Sequence, residues 1–338
     1  RPTIALPAPG MAGGGIYVTD DYALHPALAD LKPIYDAGDL ALIHATGFPH
    51  QIRSHFSAQN LVERGVVDKD GPATGWLGRH LALTPPASNS AFRVISVSGN
   101  VPVALTGAQD PLAIDNLNDF GFDPGIIDSG YPQVLADFFR SNIPFAGPAV
   151  AALDAMEELQ AADLSTILPQ NGAVYPNSVL GNKMSQAAQL VKSNLPVEVV
   201  CVDSDGWDHH ENLPTYIAPS LTELNDVLNA FYTDLGSGMS RITVLVYTEF
   251  GRRIAENGSV GTDHGTASLA YLMGGGVNGG QIVSDWPGLD TSISEDLQIT
   301  TDLRSVLSEM LIKRLGGSDI NQVFPGFSGV TSVNAFLS

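Results

Sequence analysis

Short β-rich runs alternate with amphipathic helical stretches along most of the 338 residues, and that alternation admits few architectures. The runs at 40–45, 92–97, 197–202, 242–247 and 267–273 read as strands, apolar enough to need cover on both sides. Between them, Leu24, Leu28, Leu31 and Tyr35 recur at helical spacing, and residues 54–63 and 178–193 read as helices. Leu221, Leu224, Leu228, Phe231 and Leu235 mark a longer helix, and Leu303, Leu307, Met310, Leu311 and Leu315 mark the last one. The expected fold class is α/β: a mostly parallel sheet flanked by helices on both faces. Residues 105–176 break the rhythm. They are rich in Pro, Asp, Asn and Gly, with helical patches at 131–140 and 149–162, and read as a loop-rich helical cap inserted into one domain spanning 1–338.

Charge narrows the partners. Thirty-six acidic residues against 16 basic ones give a net charge of −20, which repels nucleic acid and anionic lipid. No apolar run approaches the roughly 18 residues of a membrane span. An acidic, lysine-poor surface suits an extracellular or periplasmic medium. The single cysteine, Cys201, lies in an apolar run and reads as a small core residue.

Polar chemistry concentrates in loops that follow the strands, where open α/β sheets place their sites. After 197–202 come Asp203-Ser204-Asp205-Gly206-Trp207-Asp208-His209-His210. Carboxylate and imidazole groups in one turn suit a divalent cation, and either Asp205 with His209 or Asp208 with His210 supplies the pair. The plainer alternative is a polar turn that caps the next helix. After 242–247, Glu249 can bind metal or take a proton, and Arg252 or Arg253 can fork onto an anion; alternatively they only tie the loop down. In the glycine-flanked segment 257–265, His264 is a candidate ligand and Asp263 either a ligand or its orienting partner. Earlier, Arg53-Ser54-His55-Phe56 opens a helix, where unpaired amides favour negative charge. Ser54 is there either a metal-activated nucleophile or simply an N-cap. The Gly-x-Ser-x-Gly frame of a serine esterase is absent around Ser54, and the glycines at 274–276 and 279–280 lack nucleotide-binding spacing.

Taken together, Gly206-Trp207-Asp208-x-His210, Glu249-Phe250-Gly251-Arg252, Asn257 and Gly261-Thr262-Asp263-His264-Gly265 resemble the signatures of the domain-of-unknown-function 1501 family. So do Leu24-His25-Pro26-Ala27-Leu28, Arg53-Ser54-His55-Phe56-x-Ala58-Gln59 and Asp302-x-Arg304. The resemblance covers nearly the whole chain. It implies an alkaline-phosphatase-like or sulfatase-like fold, metal-dependent attack on phosphate or sulfate esters, and export. It also favours Asp208 and His210 over Asp205 and His209. Glu249-Phe250 stands where those hydrolases offer Asp-His, and a first strand expected ahead of residues 1–4 is absent from this sequence. The expected site therefore comprises Asp208, His210, Asp263 and His264 around a divalent cation (Zn, Mn or Ca). Ser54 would be the nucleophile, assisted by Glu249, with Arg53 and Arg252 holding an anionic ester such as one carried by a polysaccharide. The alternative is a non-catalytic scaffold whose incomplete sheet pairs with another chain in a homo-oligomer.

Overall fold

One strand organises the molecule: β3 (Leu40–Gly47), whose residues are buried except for half-buried His44. It pairs antiparallel with β8 (Ser268–Gly274) and parallel with β9 (Ile282–Val283) and β10 (Thr301–Asp302). The edge strand β7 (Thr243–Val246) lies antiparallel to β8. Side chains alternate along β3. Ala41 and Ile43 enter a core closed by α2 (His55–Arg64), α3 (Trp76–Leu83), α8 (Leu303–Arg314) and α9 (Ile320–Val323). Leu40 and Leu42 enter a second core closed by α1 (Leu31–Asp36), α6 (Val179–Lys192) and α7 (Leu213–Leu235). Helices thus cover both faces, as an apolar strand requires. A three-stranded sheet of order β5 (Leu112–Ala113), β4 (Val94–Ser96) and β6 (Val199–Cys201) is wholly parallel. The remaining pair is β1 (Ile16–Tyr17) with β2 (Ala23–Leu24).

The computed structural model describes residues 1–86, 88, 90–121, 130–141, 146–292, 294–317, 319–329 and 332–337. The fold is mixed α/β, and the expectation of a mostly parallel sheet needs correction. In the larger sheet β8 runs antiparallel to both of its neighbours. The reason is local. The chain between β7 and β8 contains no crossover helix; it doubles back as an irregular hairpin, with an Arg252–His264 bridge and a Gly265 N–H bonded to the Gly251 carbonyl at 2.8 Å. The region 105–176 contains β5, α4 (Tyr131–Arg140) and α5 (Gly147–Ala162), and Ala155 and Leu159 of α5 pack on Ile95 of β4. Residues 122–129 and 142–145 of that expected cap lie outside the described residues. No helix among the described residues is long and apolar enough to cross a membrane.

Two shared motifs are structural. Asp302 caps α8 and pairs with Arg304, whose guanidinium stacks over Phe327 at 4.4 Å. His25 caps the short turn Pro26–Leu28 through its ring nitrogen.

Candidate metal centre

Topology brings distant loops to one edge. Because β8 is antiparallel to both β3 and β7, the ends of β3 and β7 meet the beginning of β8. The bulge at Ala45, where the register shifts and φ is +52°, bends β3 as it reaches that edge; a non-glycine residue there costs roughly 1–2 kcal/mol. The segments after β3 and β7, the segment before β8 and the loop after β6 then converge.

Among the described residues, His55, Asp208 and His264 offer ligand atoms that all lie within 4.8 Å of one another. His55 opens α2, Asp208 belongs to the loop after β6, and His264 precedes β8. The rings of His55 and His264 stand 4.4 Å apart, and Phe250 packs against both at 4.8 and 4.6 Å as an apolar wall. His210 adjoins this group without belonging to the mutually close set of three. Its Nε2 is 2.9 Å from Asp208 Oδ1 and 2.9 Å from His264 Nε2.

Each imidazole is oriented from behind. The Nδ1–H of His264 donates to the Arg53 carbonyl at 2.6 Å, that of His210 to Asp263 Oδ1 at 3.2 Å, and that of His55 to Glu249. A carbonyl or carboxylate only accepts, so Nδ1 carries a proton in each ring; the Nε2 atoms stand against the Asp208 carboxylate, and a cation bound there would take the place of any Nε2 proton. All three Nε2 atoms face Asp208, at 3.0 Å for His264 and 3.3 Å for His55. The His55 Nε2 is closed to solvent and has no hydrogen-bond partner. The 2.9 Å contact between the His210 and His264 Nε2 atoms has room for at most one proton, and a cation set among these nitrogens and Asp208 would satisfy them together.

Supporting residues hold this frame. Asn257 donates to Asp263 Oδ1 and to the His210 carbonyl, both at 2.9 Å, and accepts from the Gly261 amide. At Gly261 an added Cβ would stand 2.0 Å from the His210 carbonyl oxygen, so only glycine lets the two loops touch. Arg252 donates to Asp208 Oδ1 at 2.7 Å and to the carbonyls of Thr262 and Trp207. Burial pushes the Asp208 carboxyl up, but hydrogen bonds from His264 and Arg252 and the Arg252 charge outweigh it and hold it well below the usual carboxylate range. Hydrogen bonds from Asn257 and His210 likewise lower Asp263.

The sequence-derived candidates fall into distinct places. Asp208, His210 and His264 come together. Asp263 and Glu249 stand behind the histidines, and Asp263 orients His210 rather than His264. Arg252 is engaged by Asp208 and the loop backbone. Arg53 pairs with Asp296, leaving its Nη1 without a partner. Ser54 is exposed at the N-cap of α2 and makes no capping bond with its hydroxyl. Asp205 is exposed, while His209 stacks on Tyr216 away from the group. His55 is the residue that sequence reasoning passed over; its only signal was its place beside Ser54 in a motif already singled out.

A mixed α/β fold with a His/Asp cation-ready group at a sheet edge defines the class. More narrowly, the chain belongs to the family described as Protein of unknown function (DUF1501), whose model matches residues 40–331 and so spans every loop of the centre. No curated protein and no solved structure matches it.

Proposed function

We propose that this chain is a metal-dependent hydrolase of phosphate or sulfate esters. One observation carries the reading: three imidazoles, each fixed at Nδ1 by a separate acceptor, turn Nε2 toward one carboxylate. Four tetrahedral ligands about 2.0–2.1 Å from zinc stand roughly 3.3 Å apart. The edges between His210, His264 and Asp208 measure 2.9–3.0 Å and that from His55 to Asp208 3.3 Å. The ligand atoms of His55, Asp208 and His264 lie within 4.8 Å of one another, so a bound ion would draw His55 inward. Imidazole donors suit zinc, whereas manganese and calcium favour oxygen ligands, so zinc is the best fit of the three cations considered.

A bound divalent cation supplies Lewis acidity, polarising an ester oxygen and acidifying a coordinated hydroxyl. The chain supplies position. Arg53 and His55, the chain neighbours of Ser54, both touch the centre, through the Arg53 carbonyl on His264 and the His55 ring on Asp208. The free Ser54 hydroxyl then sits at the head of a ten-residue helix, whose unpaired amides stabilise an anionic ester oxygen. Arg53 is paired with Asp296 and its Nη1 is closed to solvent, so it serves the centre through its carbonyl, and Arg252 acts through Asp208 as a positioning residue. Turnover of 4-nitrophenyl phosphate and 4-nitrophenyl sulfate by metal-loaded protein tests the reading. Ser54→Ala is expected to lose at least about 10²-fold in kcat/KM. Turnover of neither ester, or a fully active Ser54→Ala, overturns the assignment. Export to an extracellular or periplasmic space accords with the acidity, and cell fractionation tests it.

One feature favours the scaffold alternative. β6 and β7 are edge strands of the two sheets, and every residue of both is only half-buried although the strands are mostly apolar. Such edges pair readily with another strand. Light scattering distinguishes the readings: a concentration-independent monomer removes the scaffold.

A further inference from the structure

Beside the centre lies a cavity of about 320 Å³, broadly open to solvent, that the hydrolytic reading leaves unused. One wall is a single face of α2. Phe56, Gln59, Asn60 and Glu63 line the cavity and recur at i, i+3, i+4 and i+7, the spacing that aligns side chains on one helix surface. Gln59 also lies one turn beyond His55, roughly 6 Å along the helix axis, so the cavity begins about one sugar ring away from the centre. The facing wall comes from the loops after β4 and β6 and includes Asn100, Val101 and Asp203.

The lining specifies a ligand chemistry. It contains no Lys, Arg or His and carries the two carboxyl groups of Glu63 and Asp203, so it repels phosphate and sulfate. Glu63 is committed, accepting from the Ala104 amide at 2.9 Å and from Gln59 at 2.8 Å, which fixes Gln59 in place. The Asn100 amide and the Asp203 carboxylate make no side-chain hydrogen bond among the described residues and face the cavity as free donors and acceptors. At the rim Phe56 is 87% exposed, an aromatic ring with nothing packed over it. An exposed aromatic face, free amide and carboxylate groups and a small volume suit a neutral, hydroxyl-rich ring. The aromatic packs on its C–H face while the polar groups take its hydroxyls.

We infer that this cavity is a subsite for one neutral pyranose unit, which makes the leaving alcohol of the ester a sugar. The inference rests on the hydrolase reading for its link to catalysis, but the binding itself does not require a metal. Saturation-transfer NMR and calorimetric titration with maltose, cellobiose and lactose, on metal-free and metal-loaded protein, test it directly. At least one disaccharide should bind in both forms, and Phe56→Ala should weaken that binding about tenfold. Asn100→Ala, altering a free loop side chain, provides a second variant with a comparable loss. No binding of any disaccharide, or binding unmoved in both variants, overturns the subsite. Tighter binding of adenosine or guanosine, lost in Phe56→Ala, overturns it in favour of a nucleobase. Turnover of the aryl esters by the unaltered protein reads the hydrolase assignment separately, so disaccharide binding without turnover refutes that assignment and leaves the subsite standing.

Discussion

Removing Glu249 isolates how far an orienting partner controls the centre. Its carboxylate is the acceptor that holds the Nδ1–H of His55. Glu249→Ala removes both the charge and the acceptor, freeing His55 to adopt the other tautomer, in which Nε2 no longer offers a lone pair. Loss of such a partner typically costs 10–100-fold in metal affinity, or about 1.4–2.7 kcal/mol. Packing of the His55 ring against Phe250 and His264 keeps part of its orientation, which places the expected loss near 30-fold rather than at the upper limit. Glu249→Gln keeps an acceptor and loses only charge, so its cost should be smaller, on the order of fivefold. Competition for zinc against a chromogenic chelator gives these affinities, and circular dichroism checks that each variant is folded. Unchanged affinity in Glu249→Ala, or an equal loss in both variants, would refute the argument that Glu249 acts through the tautomer of His55.

Gly261→Ala drives a methyl group into the His210 carbonyl and should lower zinc affinity at least about tenfold in the same assay. Away from the centre, Asp234 is 1% exposed and accepts from Lys192, Tyr175 and the Gln170 amide. Asp234→Ala strands a largely buried ammonium, so urea denaturation should show a loss of about 3–5 kcal/mol; less than about 1 kcal/mol would mean that Lys192 escapes to solvent.

Periodicity was a good guide to the elements and a poor one to their direction. The expected strand at 242–247 and helix at 178–193 match β7 and α6 closely, since apolar spacing encodes burial locally. Whether β8 runs parallel or antiparallel depends on the long connection from β7, and that hairpin is held by glycine contacts and an Arg252–His264 bridge no local pattern announces. The same limit applied to the site. Asp208, His210 and His264 were legible because short motifs frame them. His55 was not, because its significance lies in Glu249 and Asp208, far along the chain. Arg252 looked like an anion clamp, and only the fold showed its donors already committed.

Anomalous diffraction at the zinc edge, from crystals of zinc-loaded protein, probes the centre most directly. One strong peak per chain is expected, about 2.0–2.1 Å from the Nε2 atoms of His55, His210 and His264 and from an oxygen of Asp208. A peak elsewhere, or none with the four side chains still hydrogen-bonded to one another, would contradict that expectation.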